Sequence, residues 1–146
     1  MYGRISDLLG DKGRQVYTVR KGATVCEAVR EMNRKGVGAL VVMLDERPAG
    51  IFTERDVLRR VVDEDRDPQL TRVVEVMTPD PVTIEVNDRV EEAMAIMTAR
   101  RFRHLPVLDG GALVGLVSIG DVMRWVMLHL EENVQQMTDY ITGRAG

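Results

Sequence analysis

Gly50-Ile51-Phe52-Thr53-Glu54-Arg55-Asp56 returns further along the chain as Gly115-Leu116-Val117-Ser118-Ile119-Gly120-Asp121. Each stretch predicts a buried strand that ends at a hydroxyl residue and turns directly into a helix. The stretches are 65 residues apart, and residues 18–61 align with 83–126 at that offset without a gap. Because apolar, glycine and acidic positions all match at one offset, the chain is predicted to be a duplicated unit forming one pseudo-symmetric domain.

Each copy is predicted to contain the elements β-α-β-β-α. Thr24 and Glu27 have the spacing of a capping box, and apolar residues follow at i, i+3, i+4 and i+7, which predicts a helix that Gly36 ends. Residues 39–44 are almost wholly apolar, which predicts a strand covered on both sides. The predicted fold class is therefore α/β, or more strictly α+β, with two tandem β-α-β-β-α repeats in one module.

Segments that break the repeat pattern set the predicted boundaries. The predicted organisation is a helical segment at 1–15, a first repeat at 16–62, a linker at 63–80, a second repeat at 81–126 and a helical extension at 127–146. The apolar spacing within 5–9 predicts a short helix, which we expect on the outside of the module. Residues 71–77 are compatible with one helical turn before the second repeat.

The composition excludes several classes of protein. A chain of 146 residues with 45% hydrophobic and 29% charged residues suits one compact domain. No apolar run approaches the roughly 18 residues that span a bilayer, and residues 1–7 are too polar for a signal peptide. Cys26 has no second cysteine, and no His/Cys cluster has metal-ligand spacing. From these features we expect a cytoplasmic protein that binds neither metal nor membrane. The net charge of −3 disfavours a nucleic-acid surface, which is normally basic.

The last helix is predicted to begin near Ile119 and to continue towards Thr142. Its apolar stripe consists of Val122, Trp125, Val126, His129, Leu130, Val134, Met137 and Ile141. A helix of that length extends beyond a module this small. A second copy of the chain is the simplest cover for such a stripe, so we expect a homodimer.

Two β-α-β-β-α repeats, each with Gly-x-x-Ser/Thr-x-x-Asp at the last strand-to-helix turn, and the sequence His104-Leu105-Pro106-Val107 resemble a pair of CBS domains. The resemblance covers residues 16 to about 126. In that family two CBS motifs face each other across a pseudo-twofold axis and leave two clefts that bind adenosine nucleotides. The resemblance thus implies AMP, ATP or a dinucleotide such as NAD as ligand, and no catalytic cofactor.

The repeated Ser/Thr-x-x-Asp motif has two possible roles. A carboxylate in the first helical turn can accept both ribose hydroxyls, while the hydroxyl and the free N–H groups of the helix N-terminus favour phosphate. Alternatively, Thr53 with Asp56, and Ser118 with Asp121, are capping pairs that satisfy only their own helix.

The resemblance implies that each pocket combines the Ser/Thr and Asp of one repeat with segments of the other. The first pocket would contain Thr53, Asp56, Thr83, Arg101, Phe102, Arg103 and His104. The second would contain Ser118, Asp121, Thr18, Ala23, Val37, Gly38 and Ala39. The segment 100–104 supplies arginines that suit a phosphate, whereas 35–39 offers only Lys35. We therefore expect the first pocket to favour phosphorylated ligands and the second to accept adenosine or an extended dinucleotide nearly as well, unless the arginines only form a solvated helix end.

The remaining candidates are interpreted as structural. His129 is expected to pack or to contact a partner, and Cys26 to be an inert thiol. Methionines at helical spacing, such as Met97 and Met123, are expected to be packing residues.

Three functions follow. The first is a non-enzymatic regulatory sensor that binds adenine nucleotides and signals to an unknown effector protein. The second is a dimeric interaction scaffold with vestigial clefts, and the third is an enzyme that acts on a bound nucleotide. The sequence shows no nucleophile with a paired base and no metal site, which disfavours the third.

Overall fold

The computed structural model describes residues 1–143, with the exception of seven side chains near the end of the last helix, those of Glu131, Asn133, Val134, Gln136, Met137, Asp139 and Tyr140. The predicted stripe positions Val134 and Met137 therefore lie outside the described side chains. No helix in the described part of the chain combines the length and the apolar character needed to cross a bilayer.

The first repeat contains a sheet and two helices. One further helix precedes this repeat in the chain, and another follows it. Its elements are α1 (Ile5–Lys12), β1 (Thr18–Arg20), α2 (Val25–Lys35), β2 (Ala39–Leu44), β3 (Arg47–Thr53), α3 (Glu54–Asp56), which continues as a π-helix over Val57–Val62, then α4 (Val73–Val76) and β4 (Thr78–Pro79). The last helix of this repeat was predicted as an α-helix throughout, so the π-helical turns are a finding of the structure.

The second repeat has the same order of elements. They are β5 (Ile84–Glu85), α5 (Val90–Arg100), β6 (His104–Asp109), β7 (Ala112–Ser118) and α6 (Ile119–Ile141). The sheets have the orders β1-β2-β3-β4 and β5-β6-β7. In each sheet the first strand is parallel to the second, and the second and third form an antiparallel hairpin. The predicted mixed fold of two tandem repeats is confirmed.

Local signals in the sequence set several boundaries correctly. Thr24 caps α2, since its hydroxyl accepts from the Glu27 N–H at 3.1 Å and the Glu27 carboxylate accepts from the Thr24 N–H at 3.3 Å. Gly36 ends this helix in the left-handed conformation, with φ at 68°. Both hairpins are also irregular at equivalent places, after Val42 in β2 and after Val107 in β6. The repeat in the sequence is thus a repeat in the backbone as well.

Each repeat is covered by the helix that precedes the other repeat. Ile5, Leu8 and Leu9 of α1 are fully buried in the core of the second repeat. Val73 and Val76 of α4 are buried in the core of the first. The expectation that α1 lies on the outside of the module is wrong, because its apolar face is the cover that the β5-β6-β7 sheet needs.

The two covering helices are themselves a repeat at a different offset. Arg4-Ile5-Ser6-Asp7-Leu8-Leu9 matches Arg72-Val73-Val74-Glu75-Val76-Met77 when 68 residues separate the copies. The backbone N–H of Arg4 donates to Asp7, and that of Arg72 donates to Glu75. The side chains of the two arginines donate to the carbonyls of Asn87 and Gly22, which are equivalent residues of the opposite repeats. Reciprocal contacts of this kind are what a pseudo-twofold arrangement requires.

Strands β3 and β7 contact each other at the centre of the molecule. Both strands end in a hydroxyl residue that begins a helix. The two strand-to-helix turns therefore open on the same region between the repeats.

Candidate functional site

One continuous cavity of about 1040 Å³ lies between the repeats and contains both strand-to-helix turns. Residues predicted for both pockets line it, namely Thr53, Asp56, Arg101, Phe102, Arg103, His104, Ser118, Asp121, Val37, Gly38 and Ala39. The two predicted pockets are therefore two halves of a shared space. A volume at the upper end of the usual range for ligand pockets can hold a ligand of nucleotide size.

The first half is built on the Thr53 turn. Oδ2 of Asp56 accepts from the backbone N–H of Thr53 at 2.9 Å, and the N–H of Asp56 donates to the Thr53 hydroxyl at 3.4 Å. The capping role is thus present. Asp56 is only 8% exposed, and its other oxygen, Oδ1, lies 3.7 Å from Nε of Arg60.

Arg60 is held by a second set of contacts. Its guanidinium donates to the carbonyl oxygens of Val76 and Met77 at 3.2 and 2.9 Å, at the end of α4. Burial raises the pKa of Asp56, and the Thr53 hydrogen bond and the charge of Arg60 only partly offset that effect. A buried carboxylate with one oxygen outside the cap is suited to accept hydroxyl hydrogen bonds from a ligand.

The second half is built in the same way on the Ser118 turn, but it contains an additional cation. Oδ2 of Asp121 accepts from the Ser118 N–H at 2.8 Å, and the Asp121 N–H donates to the Ser118 hydroxyl at 3.1 Å. The ammonium of Lys12 lies 2.6 Å from the same Oδ2. Burial would raise the pKa of Asp121, but the hydrogen bonds from Lys12 and Ser118 together outweigh it and lower the pKa.

His104 lies with the second turn. It pairs with Ser118 across strands β6 and β7. Burial lowers the pKa of His104, as do the charges of Lys12 and Arg103, while Asp121 acts in the opposite direction. The resemblance implied that His104 belongs to the first pocket, with Thr53. That assignment concerns contact with a bound ligand and remains a prediction.

Arg101 holds a backbone conformation that its repeat equivalent achieves with glycine. It ends α5 with φ at 58° in the left-handed region, where Gly36 ends α2 in the first repeat. A non-glycine residue in such a conformation costs on the order of 1–3 kcal/mol, and residues of this kind cluster at functional sites. The side chain at this position lines the cavity, which favours a binding role for Arg101 over a solvated helix end.

Cations outnumber carboxylates on the cavity wall. The cationic residues are Lys12, Arg55, Arg59, Arg60, Arg101 and Arg103, and the acidic ones are Glu54, Asp56 and Asp121. Such an excess favours an anionic ligand, and arginine suits phosphate in particular.

Three predicted site residues lie elsewhere. Thr18 and Ala23 line a second groove, which also contains Glu27 and Gly110. Thr83 is exposed and lines neither cavity. The immediate neighbours of the two threonines in the chain line the cavity instead, Tyr17 in one repeat and Val82 in the other.

Sequence reasoning missed Lys12, Arg59 and Arg60. Helical spacing would have found the two arginines, because residues three and four positions after Asp56 share its helix face. Lys12 is harder to predict, because the sequence aligns α1 with α4 only at an offset of 68 instead of 65, and this alignment alone does not show that α1 lies beside the second turn.

Packing accounts for most of the remaining candidates, among them Met97, which is buried, but the expectation that Met123 packs is wrong, because its side chain is 58% exposed. His129 stacks on Trp125 with ring centroids 4.0 Å apart, and its Nδ1 lies 3.0 Å from the Trp125 carbonyl. Cys26 is half-buried and free. Within the described residues, no group of three or more His, Cys, Asp or Glu side chains is placed to hold a metal ion.

Comparisons with known proteins agree with this architecture. The family model described as CBS domain matches twice, at residues 6–63 and 73–128. These matches begin within the covering helix α1 and at the start of the covering helix α4, so the family model includes both helices. A mitochondrial CBS domain-containing protein of Arabidopsis thaliana is 37% identical over 95% of this chain, which spans 72% of that protein.

Two solved structures are informative about fold and ligand. A candidate signal-transduction protein with CBS domains from Burkholderia ambifaria MC40-6 is 45% identical, with a TM-score of 0.79 over 86% of this chain and 94% of that one. A CBS domain protein of Pyrobaculum aerophilum complexed with AMP is 30% identical, with a TM-score of 0.72 over 81% of this chain and 88% of that one. With both repeats matched by the family model and its solved members superimposing on the whole module, the chain belongs to the CBS-domain family.

Proposed function

We propose that this chain is a non-enzymatic regulatory module that binds an adenine nucleotide, AMP, ATP or an NAD-type dinucleotide, in the cavity between its repeats and signals to an effector protein. The observation that carries the proposal is the meeting of two carboxylate-bearing helix turns in one cavity with a cationic wall. CBS-domain proteins are typically regulatory, and a relative with the same fold is complexed with AMP. The cytoplasm is the proposed location.

The chemistry of the cavity suits each part of a nucleotide. Oδ1 of Asp56 lies outside the cap and can accept from a ribose hydroxyl, as the Thr53 N–H occupies Oδ2. The arginines at 101 and 103 line the same space and can pair with phosphate. Both turn hydroxyls accept from helix N–H groups, which suits binding and capping rather than nucleophilic attack.

Calorimetric titration of AMP and adenosine tests the proposal. A charge-assisted hydrogen bond to a buried carboxylate is worth about 1.5–3 kcal/mol, so Asp56→Ala should weaken AMP binding by roughly tenfold or more. The double variant Arg101→Ala/Arg103→Ala should weaken AMP more than adenosine, and added salt should weaken AMP in the wild type.

A matched control separates these effects from general damage. Arg47→Ala removes an exposed arginine at the start of β3, outside the cavity wall, and should leave both affinities unchanged. If Asp56→Ala and Asp121→Ala both bind AMP as tightly as the wild type, the turns serve only as helix caps and the proposal is wrong.

One observation favours self-association as a second function. Leu58 and Val62 on the π-helix are 65% and 63% exposed, and their repeat equivalents Met123 and Met127 on α6 are 58% and 61% exposed. Four large apolar side chains are therefore exposed at equivalent positions of the two repeats. We therefore propose a homodimer, as an interaction scaffold of this kind would need, in which a second copy covers these residues together with α6.

A further inference from the structure

Two ion pairs fix the end of helix α1, one to the second turn and one to the helix α6 that follows it. Lys12 donates to Oδ2 of Asp121 at 2.6 Å and also to the carbonyl oxygen of Leu116. One residue earlier, Asp11 accepts from Arg124 of α6 at 3.1 Å. The first pair lies on the cavity wall, whereas Asp11 and Arg124 do not line the cavity. The fold therefore places the Lys12 ammonium next to the carboxylate of the second turn.

The first turn has no counterpart of this lysine. At the offset of 68 that relates the covering helices, Asp80 is the residue equivalent to Lys12. Helix α4 ends at Val76, and the chain continues as β4 instead of extending for another turn. The cation near Asp56 is Arg60, which lies 3.7 Å away at Oδ1 and is also held by the carbonyls at the end of α4. The longer α1 thus makes the two halves of the cavity chemically different.

The lysine changes what Asp121 can accept. A ribose offers two hydroxyls to one carboxylate, but Oδ2 of Asp121 already accepts from the Ser118 N–H and from Lys12. An uncharged nucleoside that displaced the ammonium would leave it partly buried without a counter-charge, which is costly. A ligand phosphate supplies a new anion for the ammonium at the same moment that its ribose takes the carboxylate.

We propose that Lys12 is the specificity-determining residue of the second turn and selects phosphate-bearing nucleotides over nucleosides there. The inference rests on the proposed function and names the ligand class of one half of the same cavity. It reverses the expectation from the sequence that the Ser118 half accepts adenosine nearly as well as AMP. That expectation rested on the segment 35–39 alone, whereas the cation comes from α1.

The test compares the dissociation constants of AMP and adenosine in the full chain carrying Asp56→Ala, in which the first turn has lost its ribose acceptor. We expect this chain to prefer AMP by roughly tenfold or more, the usual effect of one charge-assisted hydrogen bond. Adding Lys12→Ala should clearly lower this preference, through weaker AMP binding and tighter adenosine binding. Adding Lys12→Arg instead should preserve the preference for AMP.

Arg124→Ala is the matched control, because it removes the neighbouring α1–α6 ion pair without removing a group from the cavity wall. It should leave the ratio unchanged, so a purely structural role of α1 is distinguished from recognition. An unchanged ratio in Lys12→Ala, or an equal change in Arg124→Ala, would overturn the inference. So would loss of all binding in Asp56→Ala while the wild type still binds AMP. If the wild type binds neither ligand, this inference fails, and the proposed function fails as well if ATP and NAD also do not bind.

Discussion

Gly50 and Gly115 occupy equivalent positions in the central strands, yet we expect alanine to have very different effects at the two sites. A methyl group at Gly50 would lie 2.3 Å from Sδ of Met77 and 2.7 Å from the carbonyl oxygen of Thr78. At Gly115 its nearest neighbours would be Cδ2 and Cδ1 of Leu9, at 3.0 and 3.1 Å. Neither glycine has a positive φ, so the difference is one of space and not of backbone conformation.

The nature of the neighbouring atom sets the magnitude. The thioether of Met77 can move, but Thr78 cannot retreat easily, because β4 pairs with β3 through Gly50 and Ile51. Overpacking of this kind costs about 1–3 kcal/mol, and the lower entropy of the unfolded alanine chain returns only about 0.4–1 kcal/mol. We therefore expect Gly50→Ala to lower the free energy of unfolding by about 2 kcal/mol. The flexible Leu9 side chain can shift by a few tenths of an ångström, so Gly115→Ala should change it by less than about 1 kcal/mol.

Urea unfolding at one fixed protein concentration measures both effects. The midpoint should fall clearly for Gly50→Ala and little for Gly115→Ala, while the slope m stays that of the wild type. Equal losses in the two variants would show that the covering segments α4–β4 and α1 yield equally, and a neutral Gly50→Ala would refute the close approach of Thr78 to β3.

Three further predictions concern two charged residues and the assembly. The pKa of Asp56 is raised above 3.8, so its ionisation lowers the free energy of unfolding as pH rises from 3.8 through the folded pKa. Across that pH window the stability of Asp56→Asn should therefore increase relative to that of the wild type. The lowered pKa of Asp121 acts in the opposite sense, so Asp121→Asn should be less stable than the wild type at neutral pH, with the difference vanishing as pH falls below 3.8; parallel pH profiles of urea unfolding in the two variants would contradict both assignments. Truncation after Val126 should weaken the homodimer by removing most of α6, and sedimentation of the full chain as a monomer at micromolar concentration would exclude the dimer.

How far the sequence predicts this protein depends on the range of the interaction. The capping box at Thr24, the helix end at Gly36 and the strand 39–44 were all predicted correctly. Each depends on residues within one or two turns of chain, where spacing and side-chain chemistry act directly on the backbone. The duplicated turns at Thr53 and Ser118 were predicted for the same reason.

The composition of the site was predicted less completely. Arg101 and Arg103 were identified because cations before a central strand are visible in the sequence. That the two predicted pockets form one cavity was not predicted, since this depends on how closely β3 and β7 approach. That Tyr17 and not Thr18 lies on the cavity wall was not predicted either, because it depends on how β1 pairs with β2.

The sequence by itself determined the repeat, its elements and the two carboxylate turns, because these are encoded in periodicity and short-range capping. Only the tertiary structure decided that each covering helix packs on the opposite repeat, and that Lys12 meets Asp121 across 109 positions of the chain. Contacts of that kind follow from which apolar faces remain to be buried once all the elements have formed. A single ion pair produces no periodic pattern in the sequence. The position of the Lys12 charge was therefore decided by the packing of α1.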